Sequence, residues 1–337
     1  MKELLSIIGS QLTTIIELHI KAYFQETDFA IISERFANLR SLTLEIRNFH
    51  DSNSPIFLIF FEGLKNLAAL SISCKWITSI VAFTSFPNTL KSFTLKNVTI
   101  EREEFASFLK ANTNLEGLHL DDRVEINATQ ELNLKAFFEE FIRFSNSIKY
   151  FSFRSLYGSH IDHLNLIGGQ TLECIKIDLT DLSLTFDQSF PTLTNVKTLC
   201  LHCNAIDDSD LSFFLSRLPN IEVLFISTDN GRFPKKTFKA ISRLLRLKSL
   251  KFNVHGKIYH TWDIFKFANI SKYFEINNYD FTEDESNALM NALEVIARNR
   301  KSDLIKVKIY YKLNLRRALP ENLIIKFSKE FFSDDFL

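Results

Sequence analysis

Cys200, His202 and Cys203 lie within four residues and carry the soft ligand atoms that zinc takes from a Cys-x-x-Cys pair with an interposed imidazole. A site of that kind needs a second pair at ligand spacing, and the chain has none. On an extended segment Cys200 and Cys203 also point to opposite faces, which assigns Cys203 to the core beside Asn204. His160 and His163 flank Asp162, a grouping that could pass protons, but their segment reads as a surface turn. Gly168 and Gly169 lack the further glycines or the lysine of a phosphate-binding loop. The adjacent acids Asp121–Asp122 and Asp207–Asp208 fall at turns or helix starts, where carboxylates cap backbone amides. No Gly-x-Ser-x-Gly pattern marks a nucleophile. A GTPase-activating scaffold would need an exposed arginine or asparagine acting on nucleotide, and no specific pattern supports one. The expectation is a chain that is not an enzyme and takes no cofactor or metal.

The elements that hold these residues repeat. A hexapeptide, apolar-x-x-apolar-x-apolar, starts at residues 15, 39, 67, 90, 115, 148, 172, 196, 221, 247, 271 and 304. The eleventh copy, Ser271–Ile276, is the weakest because its first place is polar. The mean interval is about 26 residues. Apolar fourth and sixth places around a polar fifth describe a strand with one buried face. One such unit cannot cover its own apolar face, whereas stacked neighbours can. The returning segments read as helices. Residues 101–112 place Phe105, Phe108 and Leu109 on one face, and 207–218 place Leu211, Phe214, Leu215 and Leu218 likewise. Residues 131–144 and 283–299 read as longer helices, the latter preceded by a Thr282/Glu285 capping box. The 34 phenylalanines then serve as filler between strand and helix layers.

Composition narrows the function classes. Forty basic residues balance forty acidic ones, which argues against a generally basic nucleic-acid binder. No uninterrupted apolar run approaches the ~20 residues that span a bilayer, so no membrane is expected. Four cysteines in 337 residues are too few for a disulfide framework. They point to a reducing intracellular compartment, the cytoplasm with the nucleus as alternative. Residues 1–20 carry Glu3, Gln11 and Glu17 and lack a small-residue cleavage site, unlike a signal peptide. The sequons at Asn97, Asn127 and Asn269 do not decide the compartment.

The interval and the hexapeptide resemble leucine-rich repeats, whose period is ~20–29 residues. The fullest copy runs Val196, Leu199, Leu201, Asn204 and Ile206. By that resemblance Asn204 satisfies backbone groups in a tight turn after the strand. Other copies hold Arg47, Lys75, Val98 or Arg123 at the asparagine place, so the asparagine ladder is broken. Helical returns favour the ribonuclease-inhibitor-like branch. The run Leu199, Leu201, Cys203, Asn204, Ile206, Asp207, Asp208, then Pro219, Asn220 and Ile221, is similar to the repeats of F-box leucine-rich-repeat proteins. Asn38–Leu42, Asn66–Leu70 and Asn114–Leu118 repeat the lead into the strand. An F-box itself, about forty residues opening on a Leu-Pro pair, is not found before the first copy.

The resemblance implies an α/β leucine-rich-repeat solenoid, curved, with about twelve irregular repeats, parallel strands on the concave side and helices on the convex side. The expected organisation is a single domain over 1–337, with an N-terminal cap over 1–14, repeats over 15–310, and a C-terminal cap and tail over 311–337. That tail includes a final strand. The implied role is protein recognition, as the substrate-recognition part of an F-box ubiquitin ligase with cullin-ligase components as partners. The alternative is an adaptor or inhibitor-type regulator. The expected partner is a protein on the concave face, contacted by His119, Arg154, Lys176, Lys197, His202, Phe225, Lys248, Lys251, Lys272, Lys308 and Tyr310. Over the second, third, fifth and seventh places, the first five copies carry four basic and four acidic residues. The last seven carry nine basic and four acidic, so an acidic partner is expected there.

Overall fold

The computed structural model describes residues 14–23, 26–47, 64–80, 87–121, 125–127, 147–155, 171–184, 192–206, 208–228, 235–254, 273–277, 283–300, 305–309 and 320–327. They fall into two compact units. Met1–Gly158 with Leu166–Leu172 forms one, and Ser159–Asn165 with Glu173–Leu337 the other.

The first unit holds β1 (Glu17–Ala22), α1 (Glu26–Arg35), β2 (Ser41–Ile46), β3 (Ala69–Ile80), β4 (Ser92–Glu101), α2 (Arg102–Ala111), β5 (Gly117–Asp121), β6 (Glu125–Asn127) and β7 (Tyr150–Ser155). Strands β1, β2, β3, β4, β5 and β7 pair in that order, all parallel, and β6 pairs with the far end of β4. The second unit holds β8 (Cys174–Leu184), β9 (Thr198–Ile206), α3 (Asp208–Ser216), β10 (Val223–Thr228), α4 (Lys235–Ile241), β11 (Ser249–Val254), β12 (Tyr273–Asn277), α5 (Glu283–Asn299), β13 (Ile305–Ile309) and β14 (Leu323–Phe327). Its seven strands also pair in chain order and in parallel.

Register follows the hexapeptide. Each fourth place faces the next fourth place: Leu42 opposes Leu70, which opposes Phe93, then Leu118 and Phe151. In the second unit the series is Ile175, Leu199, Leu224, Leu250, Phe274 and Val307. The weak eleventh copy is therefore placed correctly by its fourth residue, although its first is polar. First, fourth and sixth places form the core: Leu39, Leu42 and Leu44, for example, are fully buried, as are Val196, Leu199 and Leu201. Each such side chain contributes roughly 1.5–3 kcal/mol.

Between rungs the backbone repeats one bond pattern. The second-place carbonyl accepts from the second and third amides of the next copy, as Lys197 does from Glu222 and Val223 at 2.7 and 3.0 Å. This leaves neither group orphaned where the strand begins.

Helices 102–111, 208–216 and 283–299 lie where the pattern places them, and Phe105, Phe108, Leu109, Leu211, Phe214 and Leu215 are buried. Phe93 of β4 meets Phe108 of α2 at 4.7 Å between ring centroids, tilted by 46°. The expected helix over 131–144, the N-terminal cap and Thr282 lie outside the described residues.

One expectation changes. Residues 198–206 are one strand, so Asn204 lies within β9 rather than in a turn after it. Its neighbours Cys203 and Ala205 pair with Leu179 and Ser183 of β8, on either side of a shift in the β8–β9 register. The expected final strand is present as 323–327, where Leu323–Phe327 pairs in parallel register with Ile305–Ile309.

Candidate interaction surface on the sheet

Because strand side chains alternate, the third, fifth and seventh places share the sheet face opposite the core. In the second unit the fifth places stand in one row: Lys176, Cys200, Phe225, Lys251, Glu275, Lys308 and Lys326 are successive register partners. The seventh places run beside it as Asp178, His202, Ser227, Asn253 and Asn277. In the first unit the fifth row is His19, Thr43, Ser71, Thr94, His119 and Ser152. That row is short and hydroxyl-rich, while the other carries long cations and an aromatic ring.

The structure places the expected contact residues in three groups. Lys176, His202, Phe225 and Lys251 come together on β8 to β11. Lys308, half-buried, lies further along the same row. Arg154 and His119 belong to the first unit, where His119 leans over Gly117; a Cβ on that glycine would stand 3.5 Å from the His119 Nε2. Lys272 and Tyr310 lie outside the described residues.

Lys251 departs from the expected solvated side chain: it is only 6 % exposed, and its ammonium sits 5.8 Å from the Tyr273 ring centroid. The ring face offsets part of the lost hydration. It is a positioned interior cation rather than a surface contact.

Lys197 and Lys248 occupy the second-place column, and there the basic character is largely cancelled. Lys248 Nζ lies 2.6 Å from Glu222 Oε2, and Lys197 Nζ lies 3.6 Å from Glu173 Oε2. In the first unit Lys149 Nζ lies 2.9 Å from Glu116 Oε2. In each of these three pairs the lysine and the glutamate stand one rung apart. The Lys248 hydrogen bond holds the Glu222 carboxyl below its ordinary 4.5, and Lys149 does the same for Glu116.

The neighbouring acid Asp178, 14 % exposed, faces the imidazole of His202 at 3.2 Å. Cys200, weighed above as a metal ligand, holds the fifth place of its copy and forms the floor between Lys176 and Phe225. Burial raises its thiol above 9.0, against the pull of Lys176 and Lys251, and pushes Cys174 up to about 11. Both thiols are therefore neutral, small and weakly polar. Their place in the strand period was the signal that pointed to them. Among the described residues no three His, Cys, Asp or Glu side chains converge where a metal could sit. No helix among them is long and apolar enough to cross a membrane.

No protein-family model and no curated protein matches the chain. Solved structures do. A leucine-rich-repeat protein of Leptospira interrogans aligns with a TM-score of 0.51 at 15 % identity, over 96 % of this chain and 80 % of that one. An internalin of Listeria monocytogenes aligns over 83 % and 86 % of the two chains at 15 % identity, with a TM-score of 0.48. A chain from the complex of Latrophilin 3, Unc5D and the leucine-rich repeats of FLRT2 aligns over 92 % and 86 %, at 15 % identity and 0.48. The first of these, with the register and the buried hexapeptide places, makes the fold a leucine-rich-repeat solenoid.

Proposed function

We propose, taking the leucine-rich-repeat solenoid as premise, that this chain is a recognition scaffold for a protein partner and has no catalytic activity of its own. The carrying observation is the registered fifth-place row of the second unit. Its side chains stand ~4.8 Å apart on successive strands, giving a broad surface whose chemistry changes one residue at a time. Phe225 supplies an aromatic anchor of the type enriched at interface hot spots. Affinity purification of the intact chain and of a Lys176→Glu/Phe225→Ala variant tests the reading. Partners recovered with the parent should disappear with that variant and persist with the helix-side Lys239→Ala variant. Identical recovery from all three overturns it.

A more specific form of this reading is supported by the resemblance of residues 199–221 to F-box repeats: the scaffold selects proteins for ubiquitination. Reproducible co-purification of cullin-ligase components with the full-length native product is the expected result. Their absence leaves an adaptor or inhibitor-type regulator. An intracellular site of action fits the free thiols of Cys74, Cys174 and Cys200.

A further inference from the structure

We propose that the face formed by β8, β9 and β10 binds an acidic protein segment in extended form, seating a carboxylate at Lys176 and an apolar side chain on Cys200 and Phe225. This rests on the recognition reading above and names the partner's chemistry.

Charge complementarity carries the argument. The second-place lysines Lys197 and Lys248 are already matched by Glu173 and Glu222. Lys176 is not: among the described residues this half-buried lysine makes no ion pair. The nearest acid on its own strand, Asp178, is turned to His202. Lys251, two strands beyond Cys200, is buried against Tyr273 and acts through its field, since both it and Lys176 bear on the Cys200 thiol. Between these cations lie a neutral thiol and a phenyl ring, which offer an incoming segment apolar contact and no competing acid. A half-buried cation attracts a carboxylate more strongly than a solvated one does, because the surroundings screen it less.

Geometry sets the spacing. Lys176 and Phe225 are two strand steps apart, about 10 Å. An extended peptide in the polyproline II form advances about 3.1 Å per residue with three residues per turn, so an acid and an apolar residue three places apart point to the same side about 9.3 Å apart. The matching sequence is Glu-x-x-Leu.

The test uses the intact chain and a dansylated decapeptide containing Glu-x-x-Leu. Controls replace Glu by Gln or by Lys, or shorten the spacing to Glu-Leu. Binding of the Glu-x-x-Leu peptide should be at least about tenfold tighter than that of each control. Lys176→Glu, checked for unchanged melting, should shift the preference to the Lys peptide. The bound peptide should also slow alkylation of Cys200 by N-ethylmaleimide while leaving Cys74 unaffected. Equal affinity for the Glu and Gln peptides, an unchanged preference in Lys176→Glu, or displacement by oligo-dT as effective as by peptide overturns the proposal. So does failure of the peptide to bind. If partner recovery still depends on Lys176 and Phe225 in that last case, the scaffold reading stands and only its acidic partner is lost.

Discussion

The side-chain amide of Asn220 donates to the carbonyl of Thr194 at 2.7 Å, one repeat earlier, and Asn66 makes the same bond to Ala37 at 3.3 Å. Both asparagines sit immediately before the first place of the hexapeptide. Where a hydroxyl holds that position, its acceptor lies two residues further along. Thr89 donates to Leu67, Ser147 to Leu115 and Thr171 to Ile148, at 2.7, 2.7 and 2.9 Å. The longer amide takes the carbonyl two residues before the first place, and the shorter hydroxyl takes that of the first-place residue itself. Consecutive turns are thus tied by a side chain at their entry. Asn220→Ala should cost about 0.5–1.5 kcal/mol. Asn220→Asp should cost more above the carboxylate range, because it sets a charged acceptor against a carbonyl. Denaturant melts of the three proteins measure the order.

The alternating second-place charges make stability depend on acid. Glu116 and Glu222 have carboxyls held below 4.5 by Lys149 and Lys248. A folded value below the unfolded one means the contribution is present above 4.5 and is lost as pH falls through the lowered value. Melting temperature should therefore decline on acidification from 4.5 downward, and less steeply in Lys248→Gln. Both carboxylates are partly open to solvent, so the effect should be small and should shrink with added salt. An equal acid slope in parent and variant would show that the rung contributes nothing measurable.

The repeat was readable because three buried places per rung impose a period that survives drift at every other position. Ser271 interrupts the first place, yet Phe274 still pairs in register with Leu250. Whether a strand stops or runs on was not readable, since it depends on bonds to neighbouring strands. Asn204 was expected in a turn and lies within Thr198–Ile206. The exposure of Lys251 was also hidden from the sequence. It depends on Tyr273, 22 positions later in the chain, coming to lie beside it on the next strand.

The same point yields a test at the asparagine place of the fourth copy. Val98 there is fully buried in β4. Val98→Asn restores the residue that the leucine-rich pattern favours, and by pattern alone it should stabilise. In this strand it buries an amide in an apolar site, so about 1–3 kcal/mol of destabilisation is expected. Phe108→Ala, which empties the contact with Phe93, should cost about 3–5 kcal/mol. Urea midpoints that place Val98→Asn above the parent would reverse the argument.

Asn97, next to Val98, has φ of 54°. It lies where the β3–β4 register shifts: Lys96 pairs with Ser73, and Val98 with Thr78. The left-handed conformation places Cβ close to the following carbonyl, costing most residues ~1–2 kcal/mol. Asparagine tolerates it better. Asn97→Ala should therefore lower stability by about 1 kcal/mol, and Asn97→Gly should be neutral or slightly stabilising. A glycine variant less stable than the alanine one would mean that the asparagine side chain matters more than its backbone.

Cys74, buried in β3, provides the last test, from the alkaline side. Desolvation pushes its thiol from 9.0 up to about 12. Only the thiolate reacts with alkylating agents, so near pH 9 its modification should be several hundredfold slower than that of a free thiol. The unfolded chain ionises this group near 9.0 and the folded chain only near 12. The stabilising difference is therefore complete below 9.0 and is lost as pH rises towards 12, with an upper bound of about 4 kcal/mol. Cys74→Ala removes the titrating group, and its alkaline melting curve should fall less steeply than the parent's over that window. Parallel curves, or alkylation of Cys74 at the rate of a small thiol, would show that the β3 interior admits the charged form.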